Sequence, residues 1–172
     1  MYGTAPPALQ ALIQSTSGPL GLAVVLVYSF LVAIALPFPG EVVLAMPLDL
    51  GLHPQAELAL LIATSAFGKA MGSLIALRLG NGASRSPLFA RIVGQFPALA
   101  AGERAFVDRI KEYGYLGLAV GLAIPLMPDT ALIYAFSVVE TNYVKFAVAA
   151  FVGTAARLVT VAGLVNSALA VT

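Results

Sequence analysis

No cysteine occurs in this chain of 172 residues, which excludes disulfide bonds and thiolate metal sites. Charge is nearly as scarce. Only 10% of residues are Asp, Glu, Lys or Arg, against about 25% in an ordinary soluble domain, and residues 1–40 carry none. The one histidine, His53, stands alone beside Pro54, and no His/carboxylate grouping has metal-ligand spacing, so neither a metal nor another cofactor is expected. A phosphate-cradling glycine loop and a nucleophile elbow are missing as well. The basic region that precedes the apolar core of a secretory signal is absent from the N-terminus, so no such signal is expected. A net charge of +1 points to no partner by itself, and no nucleic acid is expected.

What fills the chain instead is hydrophobic. Sixty per cent of residues are apolar and the mean hydropathy is +0.95, the range of an integral membrane protein. Residues 58–79 are apolar apart from Lys69 and Arg78, and residues 143–165 apart from Lys145 and Arg157. At 1.5 Å per residue each is long enough to cross a hydrocarbon core of about 30 Å as a helix. Asn81-Gly82 is a stop signal for the first of them. Arg78, Arg85, Arg91, Arg104, Arg109 and Lys111 put six of the nine basic residues between 78 and 112, so the linker of about 81–113 is expected in the cytoplasm. Phe106, Ile110 and Tyr113 sit on one helical face, so the linker's last part reads equally as an interfacial helix or a solvated loop.

A repeat organises the rest. Gly18-Pro19-Leu20-Gly21-Leu22-Ala23-Val24 and Gly114-Tyr115-Leu116-Gly117-Leu118-Ala119-Val120 differ at one position. After the first copy comes Pro37-Phe38-Pro39-Gly40-Glu41, and after the second Pro125-Leu126-Met127-Pro128-Asp129. Around Pro125–Pro128 each flanking arm is about half a bilayer long as a helix, which predicts a re-entrant hairpin over 114–139. Residues 19–50 read as a second hairpin, or as a nearly full span with a short return. Asp49 and Glu57 fit an external loop. The expected fold is an all-α integral membrane protein forming a single domain over 1–172. Repeat 1 (about 18–80) and repeat 2 (about 114–165) are inverted copies, each a re-entrant hairpin followed by a transmembrane helix.

Four charges fall at predicted membrane depth, where they are costly and usually functional. Glu41 and Asp129 lie at the hairpin tips formed by Pro37, Pro39, Gly40, Pro125 and Pro128. Each reads as a substrate- or proton-binding acid, or as a cap on the following half-helix, and the two roles are compatible. Lys69 and Arg157 lie near the middle of the two long helices, either in structural ion pairs with the acids or in contact with a substrate phosphate. Gly68 and Gly72 form a small-xxx-small helix-packing pair. Tyr134, Met46, Met71 and Met127 read as packing.

Pro-x-Pro-Gly-Glu after an apolar arm, then a helix carrying Gly68 and Gly72, resembles the first half of the DedA/VTT family, also called SNARE-associated proteins. Tyr113-Gly114-Tyr115-Leu116-Gly117, then Ile124 to Asp129, then Phe146 and Gly153 are similar to that family's second half. The resemblance covers roughly 18–160 and implies movement of lipids across a bilayer, polyprenyl-phosphate carriers and phospholipids among them, some with proton dependence. Bacterial members typically carry arginines where this chain has Leu122 and Pro128, and many carry an acid where it has Ser29. Arg157 and Lys69 are then the cations left to meet a phosphate.

The functional reading is a non-enzymatic transporter of a lipid or amphiphile, of flippase or scramblase type and proton-coupled, working through a midplane site at the two hairpin tips. The alternative is a proton-coupled carrier of a small solute or ion on the same scaffold. An intramembrane aspartic protease is disfavoured, because no Gly-x-Gly-Asp pattern occurs and one of the two acids is a glutamate. Membrane lipids, a lipid phosphate and protons are the expected partners. A bundle with two full crossings is too small to enclose a cavity, which suggests a homodimer. The expected location is the plasma (cell) membrane.

Overall fold

The computed structural model describes residues 18–34, 40–46, 48–82, 112–137 and 140–169. All regular elements among them are helical: α1 (Pro19–Ile34), a 3-10 segment (Gly40–Ala45), α2 (Pro54–Gly82), α3 (Gly114–Ala123), α4 (Asp129–Ser137) and α5 (Tyr143–Leu169). Pro37, Phe38, Pro39 and most of the basic linker lie outside the described residues.

Local sequence sets the boundaries. α1 and α2 both open on a proline, whose missing amide hydrogen costs nothing at the first helical position. His53 O accepts the amides of Ala56 and Glu57 at 2.8 and 3.1 Å. Glu57 in turn accepts Leu50 N at 2.7 Å and Leu52 N at 3.3 Å, fastening the preceding loop to the helix start. Asn142 caps α5, its Oδ1 accepting Lys145 N at 3.1 Å. Residues 114–137 form two short helices separated by the turn at Ile124–Pro128, so no continuous helix crosses there. The trailing arm of the first half differs from a half-helix: it is the six-residue 3-10 segment and then irregular chain. Only seven residues separate Pro39 from Pro47 in sequence, too few to repay the nucleation of an α-helix.

Among the described residues two helices, Pro54–Leu79 and Tyr143–Ala168, are long and apolar enough to cross a membrane. Exposure is distributed as a membrane requires. α2 shows the outside an apolar stripe of Phe67, Met71, Ile75 and Leu79, and α5 shows Val148, Val152 and Val159. Lys69, Asp129, Arg157, Ser29, Ser65, Ser73, Thr130 and Thr154 are buried instead. Burying Lys69, Asp129 and Arg157 while apolar stripes face outward is the reverse of what water favours.

Packing follows the glycines. A Cβ on Gly68 would stand 2.5 Å from Leu26 O, and one on Gly72 would stand 2.4 Å from Phe30 O, so α1 lies directly on α2. Both contact numbers rise together, hence α1 and α2 run parallel. A Cβ on Gly153 would stand 2.5 Å from Ala119 O, which sets α3 on α5. Tyr115 OH accepts Asn142 N at 2.8 Å at the shared start of that pair, so α3 and α5 also run parallel. α2 and α5 pack against each other and point in opposite directions, because Leu58 near the start of α2 and Val161 to Asn166 near the end of α5 line one pocket. One cluster of buried side chains draws on all five helices, including Ala33, Leu77, Leu122, Phe136 and Phe146. A second joins Val25, Val43, Leu61, Ile62 and Leu158 around the 3-10 segment.

Candidate functional site: a buried charge cluster beside an apolar pocket

The break between α3 and α4 places Asp129 at the first position of α4, near mid-depth of the two long helices. The 3-10 segment brings Glu41 to the same level. Lys69 arrives from α2 and Arg157 from α5, each 1% exposed. Asp129 Oδ2 accepts from Lys69 Nζ and Asp129 Oδ1 from Arg157 Nη1. Arg157 Nε donates to Glu41 Oε1 at 2.6 Å, and Arg157 Nη2 donates to Met127 O at 3.0 Å. Glu41 Oε1 also accepts Leu126 N from the second turn, at 3.3 Å. All four charges singled out in the sequence therefore meet, two acids against two bases.

The physical logic is desolvation. A charge in hydrocarbon or in a dry interior is disfavoured by several kcal/mol, and pairing with further hydrogen bonds offsets much of this. The guanidinium suits the task because its fixed fork of donors reaches two carboxylates and a carbonyl at once. Gly40 makes room: a Cβ there would stand 2.6 Å from Lys69 Nζ. The acids are not equivalent. Asp129 is held by two cations and buried, whereas Glu41 is held by one and its side chain is 15% exposed.

Of the expected hairpin-tip residues, Gly40 lies beside this cluster and Pro125 and Pro128 flank it, while Pro37 and Pro39 lie outside the described residues. Several contributors carried no sequence signal. Thr130 Oγ1 donates to Val32 O at 2.8 Å and Tyr134 OH to Ile34 O at 2.7 Å, binding α4 to the last turn of α1. The hydroxyls of Ser29 and Ser65 meet at 2.7 Å between α1 and α2. Beside the cluster is a pocket of about 390 Å³, lined by Glu41, Leu44, Ala45, Leu58, Val161, Ala162, Val165 and Asn166. Among the described residues no group of His, Cys, Asp and Glu is placed to hold a metal ion.

No family model, no curated protein and no solved structure matches the chain.

Proposed function

We propose that this chain is a membrane transporter that moves a lipid or amphiphile past the cluster of Glu41, Asp129, Lys69 and Arg157. The observation that carries the reading is the convergence of two acids, from two proline-marked breaks, on two cations at the middle of two long helices, beside a mostly apolar pocket. Broken helices meeting at mid-depth are how many carriers build a substrate site in a membrane. The parallel pairing of a short helix with a long one, found in each half, supports an inverted repeat. α3, the turn and α4 support a re-entrant hairpin; α1, at 16 residues, fits a nearly full span followed by a return. The apolar pocket favours an amphiphile over a small polar solute. We read the chain as a carrier without catalytic chemistry, acting in the plasma membrane.

Glu41, held by a single cation and among the residues lining the pocket, is the acid assigned to coupling. The test is flux of a fluorescent lipid in proteoliposomes across a pH step. Glu41→Gln keeps the acceptor oxygen for Leu126 and Arg157 but loses the charge and the titrating proton. It should cost about 1–2 kcal/mol of stability and remove the flux or its pH response. Asp129→Asn should cost more, about 3 kcal/mol, because two buried cations lose their shared anion. Full flux in both variants at every pH overturns acid coupling. Absence of lipid flux in the unmodified protein overturns the transport reading itself.

A further inference from the structure

One oxygen of the charge cluster is left over. Glu41 Oε1 accepts from Arg157 and Leu126, but Glu41 Oε2 is buried and has no hydrogen-bond partner. A carboxylate offers about four acceptor sites, and leaving a buried acceptor unmade costs about 1–3 kcal/mol. Glu41 is also one of the residues lining the pocket of about 390 Å³. Its walls are Leu44 from the 3-10 segment, Leu58 from α2, and Val161 and Val165 from α5, with the Asn166 carboxamide as its second polar group.

The cations are in no position to serve an anionic ligand. Arg157 already donates through Nε, Nη1 and Nη2, Lys69 donates to Asp129, each is 1% exposed, and neither lines the pocket. The charged residue in the pocket's lining is therefore an acid, Glu41.

We propose that this pocket binds an amphiphile with a primary ammonium head group rather than a phosphate. An N–H meets Glu41 Oε2, the Asn166 carbonyl takes a second, and the alkyl chain lies among Leu44, Leu58, Val161 and Val165. The assignment rests on the transport reading above and narrows its substrate. An ammonium donor makes a charge-assisted hydrogen bond, roughly twice as strong as a neutral one. The volume is near the lower end of the ~300–1,000 Å³ of small-molecule sites, which suits a head group with one chain. Oε2 itself is covered, so binding requires the carboxylate to rotate about its last bond. That torsion is soft, and the rotation can keep one oxygen on Arg157.

Photoaffinity labelling of the purified full-length chain in neutral detergent tests this. Three dodecyl probes share a diazirine in the tail and differ in the head: primary ammonium, trimethylammonium and phosphate. The ammonium probe should label peptides containing Leu44, Leu58 and Val161 to Asn166, and unlabelled dodecylammonium should compete. The trimethylammonium and phosphate probes should label at least ~10-fold less, the effect of one lost charge-assisted bond of about 1.4 kcal/mol. Val161→Trp fills the pocket without touching an ion pair and should abolish labelling. Equal labelling by the trimethylammonium probe, preference for the phosphate probe, or labelling that survives Val161→Trp overturns the assignment. These outcomes are separate from flux: lipid flux with a phosphate preference keeps the transport reading and removes this one, and labelling without flux does the opposite.

Discussion

Leu126 takes a φ of 64°, in the left-handed region that favours glycine, and is 86% exposed between the two prolines of the second turn. That conformation is disfavoured by about 1–2 kcal/mol for a residue with a Cβ. It aims the Leu126 amide at Glu41, so the turn of one half is fastened to the acid of the other. Leu126→Gly relieves the steric cost while freeing the unfolded chain, and the two should cancel to within about 1 kcal/mol. Leu126→Val adds a branched Cβ in the same region and should lose about 2 kcal/mol or more. Thermal unfolding in detergent compares them, and a valine variant as stable as the glycine one would mean that the turn relaxes freely. No sequence signal marks Leu126, an apolar residue among apolar residues. The four charges were legible for the opposite reason. Lys69 and Arg157 stand at the centre of apolar helices, where each is disfavoured by about 2.5–3.5 kcal/mol, and the two acids are embedded in long apolar sequence, so their presence already demanded partners.

Among the elements, the long helices and the break at Pro125–Pro128 could be read from hydropathy and proline spacing. The 3-10 segment could not, because its six residues carry no period and its form is set by what surrounds them. The hydroxyl ties from Thr130 and Tyr134 to α1 were equally hidden, since a Ser, Thr or Tyr in an apolar helix can point to its own backbone or to a neighbour's. Glycine spacing was the reliable guide to packing. Gly68→Leu, Gly72→Leu and Gly153→Leu each drive a side chain into a backbone carbonyl and should cost about 1–3 kcal/mol or more by separating helix pairs. Gly163 has nothing within 4 Å of a built Cβ, so Gly163→Ala should stabilise α5 by up to about 0.5–1 kcal/mol. Thermal unfolding of the four variants separates close packing from a general intolerance of substitution: a Gly163→Ala loss as large as the others would remove the packing argument.

At the scale of the whole molecule, the contacts order the helix ends into two groups. The starts of α3 and α5 lie together through Tyr115 and Asn142, and the start of α2 shares a pocket with the end of α5. If the two long helices cross a bilayer, the first group lies on one side and the second on the other. The basic linker joins the end of α2 to the start of α3, so the positive-inside rule predicts a cytoplasmic first group. The absence of cysteine makes this measurable, because any introduced thiol is unique. His53, Tyr113, Tyr143 and Ser167 are all exposed. In intact cells, a membrane-impermeant maleimide should label His53→Cys and Ser167→Cys from outside, and reach Tyr113→Cys and Tyr143→Cys only after the cells are opened. His53→Cys and Tyr113→Cys labelling from the same side would mean that α2 does not cross. The antiparallel pair of long helices would then lie along the membrane rather than through it, and a site at mid-depth of the bilayer would lose its foundation. The ion pairs alone do not make this distinction, since Lys69 and Arg157 would meet Asp129 in either case. Sidedness of the ends, not the charge cluster, is what separates an inverted carrier from a helical bundle lying on one face of the membrane.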